Sequence, residues 1–225
     1  MARLFKKIPL LGKLAYSFKK RFFPQTIFTN SEDYWVNRYK KGGNSGAGSY
    51  NNLAEFKGEV INDFVEKQEI ETVIELGCGD GNQLKYFKFP AYKGFDVSRE
   101  ILEKCRLEFK DDSTKQFLHV EEAHNHKAEL AMSLDVIYHL VEDHTFEMYM
   151  KQLFAAAISY VIVYSCDFED KNYTLHVRPR KFTEWVTVNQ PDFKLIKFIP
   201  NKFPQKKGAD EFTSFADFFI YQKIK

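Results

Sequence analysis

Val73-Ile74-Glu75-Leu76-Gly77-Cys78-Gly79-Asp80-Gly81-Asn82 runs a short apolar segment into a glycine-rich turn, and Gly94-Phe95-Asp96 answers it downstream. Thr72 to Leu76 is β-branched and apolar enough for a strand buried on both faces. Alternate glycines at 77, 79 and 81 let the backbone turn sharply and approach a ligand closely. Asp96 falls where a second strand would end, and in nucleoside-binding α/β folds a carboxylate there accepts both ribose hydroxyls. The two features read as one nucleotide-cofactor site. A dinucleotide fingerprint, G-x-G-x-x-G, needs glycine where this chain has Asn82, with its third glycine one residue early. Glu75, at the head of the turn, would repel a pyrophosphate but suits a cofactor carrying an amino group and a sulfonium.

Three segments, Glu75-x-Gly77-x-Gly79-x-Gly81, Asp96 and Ser133-Leu134-Asp135-Val136-Ile137-Tyr138-His139, resemble those of the class I S-adenosylmethionine methyltransferases. They stand for that family's first motif, the acid closing its second strand and the segment after its fourth. The resemblance runs over roughly residues 52–225. It implies an α/β, doubly wound, mostly parallel seven-stranded sheet of Rossmann-like type with an N-terminal helical extension, S-adenosyl-L-methionine as cofactor, and a small-molecule acceptor. It assigns Glu75, Gly77, Cys78, Gly79, Gly81, Asn82, Gln83, Asp96, Val97, Ser133, Leu134 and Asp135 to the cofactor. Glu121 and Glu122 are candidates for an adenine contact after the third strand. Methyl transfer is an in-line displacement that needs alignment and, for a hydroxyl acceptor, a base near neutral pKa, which histidine suits. His139 is therefore the expected base or acceptor-orienting group, with Asp135 orienting it and His144 beside it. The chain also looks like small-molecule methyltransferases of bacterial capsule or other surface-polysaccharide pathways, including those linked to phosphoramidate decorations.

With 225 residues, 44% of them hydrophobic, the chain can bury one sizeable core. Cys78, Cys105 and Cys166 are odd in number and lack C-x-x-C spacing, so neither disulfides nor a zinc site is indicated and a cytoplasmic setting fits. Cys78 reads as turn packing. His124 and His126 lack a third nearby ligand, so no metal is expected.

The formal net charge is only +2, yet residues 1–24 hold Arg3, Lys6, Lys7, Lys13, Lys19, Lys20 and Arg21 with no acid, so the remainder is net acidic. Apolar residues between these charges could form an interfacial helix, implying weak contact with the inner membrane face; Pro9 and Gly12 interrupt it. The other reading is an arm packed on the domain or a solvated tail. No nucleic-acid motif accompanies it. Residues 1–51 thus divide off as a basic arm and glycine-rich lid from a domain over 52–225. The lid stretch, Tyr34 to Tyr50, is aromatic and cationic first, then glycine-rich, and mobile unless something orders it. Tyr34, Trp35, Tyr39 and Tyr50 could cover a cofactor and Arg38 could meet its carboxylate. A plain linker is the alternative.

Leu53, Phe56, Val60, Ile61, Phe64 and Val65 recur at helical spacing, predicting a helix over 52–68. Downstream, strands are expected at 72–76, 92–96, 117–120, 129–134 and 160–165, with a closing pair at 193–199 and 215–222. Helices are expected at 83–89, at 98–109 capped by Ser98, at 145–157 and at 181–188. Right-handed crossovers would bring the glycine turn and the ends of strands four and five to one edge. Tyr138, His139, Tyr164, His176, Arg178 and Arg180 are the acceptor-binding candidates, because arginines grip carboxylate or phosphate in a fork; an anionic acceptor follows. The competing readings are a nicotinamide-dependent oxidoreductase or epimerase, and a catalytically inactive, membrane-associated binding protein. Against the first, Tyr-x-x-x-Lys occurs only at Tyr16/Lys20 and Tyr221/Lys225.

Overall fold

A computed structural model describes residues 28–171, 173–209 and 211–224. The basic arm over 1–24, with its expected membrane-surface contact, lies outside the described residues. Seven strands form one sheet: β1 (Thr72–Leu76), β2 (Ala91–Asp96), β3 (Lys115–His119), β4 (Ala128–Leu134), β5 (Ala157–Ser165), β6 (Phe193–Ile199) and β7 (Asp217–Lys223). Their order is β3-β2-β1-β4-β5-β7-β6, parallel except where β7 pairs antiparallel with β5 and β6. This is the doubly wound, seven-stranded arrangement expected from the alternation of elements.

Side-chain alternation sorts the core into two layers. Leu130 and Met132 of β4, Ile162 and Tyr164 of β5, and Phe218 and Ile220 of β7 face one way, with the helices α2 (Asn51–Lys67) and α3 (Arg99–Glu108). Ala131, Val161, Val163, Phe219 and Tyr221 face the other way, with α4 (Asp143–Ala156) and α5 (Phe182–Asn189). Ser98 caps α3 as expected, its hydroxyl accepting from Ile101 N.

Three expectations needed correction. Residues 83–89 do not form an α-helix; Asn82–Tyr86 is a 3-10 turn, because Gln83 points inward to bond Glu75 and the chain is extended again at Phe87. The third strand ends at His119, and a 3-10 turn, Val120–Asn125, follows. The aromatic part of the lid is no loop. It is the helix α1 (Ser31–Lys40), started by Asn30, whose side chain accepts from Asp33 N at 2.7 Å. Such a cap is worth about 1 kcal/mol.

Candidate active site

The glycine turn is built by two bonds: Gly77 N and Cys78 N both donate to Phe95 O, at 2.7 and 3.0 Å, which draws the end of β1 against β2. Gly77 and Gly79 hold φ of 84° and 58°, where a side chain is strained. A Cβ at Gly77 would stand 2.5 Å from Val136 Cγ2, and one at Gly79 would run into the Ser45 hydroxyl. Asp96 locks the turn from below: its Oδ2 accepts Gly79 N at 3.0 Å and its Oδ1 accepts Ser98 N at 2.9 Å. Burial still outweighs these bonds and pushes the carboxyl up to about 6.

A cavity of about 140 Å³ opens between this turn and α1. Gly77, Cys78, Gly79, Asp96, Val97, Leu134, Asp135 and His139, all named from sequence, line it. They come from the carboxyl ends of β1, β2 and β4, where an open α/β sheet binds its ligands. Trp35, Tyr39, Ser45 and Ser49 of the N-terminal segment complete the wall.

That segment is fastened at both ends. At the front, Ser31 donates from N (3.0 Å) and Oγ (2.7 Å) to the Glu142 carboxylate, while its Oγ accepts Val141 N. At the back, Ser45 N donates to Asp80 Oδ2 at 2.9 Å and Ser45 Oγ accepts Asp80 N at 2.8 Å. The Tyr50 hydroxyl donates to the same carboxylate. Gly48 lies so close over the site that a Cβ there would stand 2.5 Å from Asp135 Oδ2. This stretch is thus tied down, at its back end by a carboxylate of the glycine turn.

Asp135 is held on both carboxylate oxygens. It sits at φ 61°, in the left-handed region. Its Oδ1 accepts the Tyr138 hydroxyl at 2.8 Å and its Oδ2 meets Lys57 Nζ at 2.7 Å. Lys57 is fully buried, with its ammonium 5.2 Å from the Tyr164 ring centre. The sequence reading passed over it, although it sits at helical spacing between Leu53 and Ile61, on the apolar face of α2. Asp80, inside the glycine turn, was missed as the group that ties Ser45 and Tyr50 to that turn, whereas Tyr39, expected to cover a cofactor, lines the cavity with its hydroxyl 3.1 Å from Ser45 Oγ.

His139 donates from Nδ1 to His176 O at 2.9 Å and meets the Trp35 ring edge-on, with 4.9 Å between centroids. Burial pushes its pKa down to about 4, so the ring is neutral at pH 7 rather than poised near it. His144 does not join it; it is exposed in the first turn of α4, off the cavity.

Other expected site residues stand away from the cavity. Glu75 is wholly buried beneath the turn, taking the Tyr92 hydroxyl at 2.6 Å and the Gln83 amide at 2.9 Å, and burial raises it to about 7. Asn82 donates to Ser49 O, Gly81 packs against Phe109 and Cys105, and Ser133 bonds the Tyr149 hydroxyl. Tyr34 stacks on His176, and Arg38 bonds Asn44 and covers Trp35. Glu121 pairs with Arg99, and Glu122 accepts His119 N; Val120 lines the cavity instead.

The anion-binding reading of the basic turn is corrected. Arg180 pairs with Asp143 at 2.6 Å, bonds Leu140 O and Val141 O, and packs over Phe146. Arg178 pairs with the same Asp143 and with Glu169 and bonds Val141 O. Both guanidiniums hold the loop before α4 in place. Tyr164 is buried and accepts Asn201 Nδ2, so it too faces the core.

No protein-family model matches the chain, and no curated protein matches it by sequence. Solved structures do match. The methyltransferase domain of bacterial CtHen1 is 22% identical, with TM-score 0.57, over 76% of this chain and 100% of that one. Magnesium protoporphyrin IX methyltransferase (ChlM) from Synechocystis PCC 6803, solved with bound S-adenosylhomocysteine, is 12% identical, with TM-score 0.60, over 87% and 96%. N-methyltransferase NodS from Bradyrhizobium japonicum WM9, in complex with S-adenosyl-L-homocysteine, is 11% identical, with TM-score 0.66, over 86% and 100%. The likeness shows the class I methyltransferase fold.

Proposed function

We propose that this chain is an S-adenosylmethionine-dependent methyltransferase acting on a small molecule. One observation carries the reading: Asp96 closes the glycine turn from below through Gly79 N and also borders the cavity, so turn and acid form one cradle. The residues fit the cofactor. Asp96 would receive the ribose hydroxyls, Val97 and Val120 would flank the base, and Gly77 to Gly79 with Leu134 and Asp135 would hold the methionine end. The bound cofactor supplies an electrophilic methyl group. The chain's own part is to align an acceptor against it, exclude water beneath the α1 lid, and offer the neutral His139 imidazole as a hydrogen-bonding group. Similarly folded proteins solved in complex with S-adenosylhomocysteine support this choice of cofactor.

The nicotinamide alternative loses ground on Asn82, whose side chain ties the turn to Ser49 O where the dinucleotide fingerprint has glycine. A capsule-pathway acceptor rests on sequence resemblance alone, and a phosphorylated one is disfavoured by the engaged arginines.

Calorimetry tests the reading. We expect S-adenosylhomocysteine to bind one per chain, NADH not to bind, and Asp96→Ala to weaken the former at least tenfold. Binding of NADH in preference, or an Asp96→Ala variant with unchanged affinity, would overturn it.

A further inference from the structure

The half of the cavity away from the glycine turn has its own chemistry. Its wall is one stripe of α1, Ser31, Glu32 and Trp35, set against His139, Leu140 and Thr145. Among the described residues no lysine or arginine lines the cavity at all. Lys57 is committed to Asp135, and Arg178 and Arg180 to Asp143; Arg38, off the cavity, bonds Asn44 and holds its guanidinium 5.6 Å from the Trp35 ring centre, a cation already drawn to that indole. His139 is held neutral. Glu32, by contrast, is an exposed carboxylate with no ion pair or hydrogen bond among the described residues, on the same helix face as the Trp35 ring. An indole and an imidazole beside an unpaired carboxylate attract a cation, through ring quadrupole and charge, and repel phosphate.

We infer that this half of the cavity recognises an acceptor bearing a cationic amine on an apolar or aromatic body, with Glu32 as its counter-charge and Trp35 and His139 as its walls. The inference rests on the methyltransferase reading for the word acceptor, but not for the binding itself.

The test is titration of phenethylamine, 2-phenylethanol and phenyl phosphate into the protein, with and without saturating S-adenosylhomocysteine. Phenethylamine should bind at least tenfold tighter than either of the others. Glu32→Gln should remove about tenfold of that preference, while leaving 2-phenylethanol and S-adenosylhomocysteine affinities unchanged. Raising salt should weaken the amine alone. Tighter binding of phenyl phosphate, no amine binding, or an amine affinity indifferent to Glu32→Gln would each overturn the inference. If S-adenosylhomocysteine fails to bind while the amine preference persists, the functional reading falls and the recognition site stands.

Discussion

At the scale of single residues, burial sets the chemistry. Asp96 is raised to about 6 by desolvation, against ~3.9 in an unfolded chain. Between those values the folded protein keeps a proton that the unfolded chain has lost, so this group's contribution to stability falls as pH rises through that window. Ribose hydroxyls donate to the ionised form, so S-adenosylhomocysteine affinity should drop about tenfold from pH 7 to pH 5. In Asp96→Asn we expect weaker binding without that dependence, checked by calorimetry across the range. His139 shifts the other way, down to about 4. It is neutral in the fold while an unfolded histidine would charge near ~6.5, so its contribution grows as pH rises from 4 towards 6.5. Its ring NMR signals should stay fixed from pH 5.5 to 8; an inflection near 6.5 would contradict its burial. Lys57→Met would leave the Asp135 carboxylate without its partner, and a loss of about 3–5 kcal/mol is expected in denaturant melts. The glycines and Asp96 were legible in sequence because their backbone needs dictate residue type. Lys57 was not, since a lysine at a core position looks like any helix lysine until its partner, 78 residues away, is seen.

At the scale of elements, the segment proposed as a lid is a strap fastened at Ser31 and at Ser45. The Ser31→Ala variant loses the hydroxyl bonds to Glu142 and Val141, and amide exchange over Ser31–Lys40 should quicken by one to two orders of magnitude with little change in global melting. Gly48→Ala places a methyl against Asp135, so the lid cannot seat. Proteolysis within residues 41–48 should speed up and cofactor affinity should fall. Unchanged proteolysis would show that the strap does not need that close approach. Sequence pointed to a lid but not to its helix: Tyr34, Trp35 and Tyr39 suit a loop as well as a helix, and what decides is the Asn30 cap and the packing of one face onto the site. The two arginines misled for a related reason. Their partners, Asp143 at the start of α4 and the carbonyls of residues 140 and 141 before it, touch them in space but stand far off in sequence.

At the scale of the whole molecule, strand alternation and right-handed crossovers carry the carboxyl ends of β1, β2 and β4 to one edge; the order of elements and the family resemblance pointed to that edge, though with the end of strand five, which does not line the cavity. No helix among the described residues is long and apolar enough to cross a membrane. The edge strand β6 leaves Leu195, Ile196 and Phe198 partly open, with Lys194 and Lys197 interspersed, a pattern that discourages edge-to-edge pairing. What unites these levels is one cradle, made by a turn of β1, an acid of β2 and a strap from the N-terminal side. A crystal structure with S-adenosylhomocysteine tests it most directly. We expect the adenosine between Gly79 and Asp96 with both ribose hydroxyls on the Asp96 carboxylate, beneath Tyr39. Ligand density elsewhere on the molecule, or ribose hydroxyls turned away from Asp96, would contradict the account.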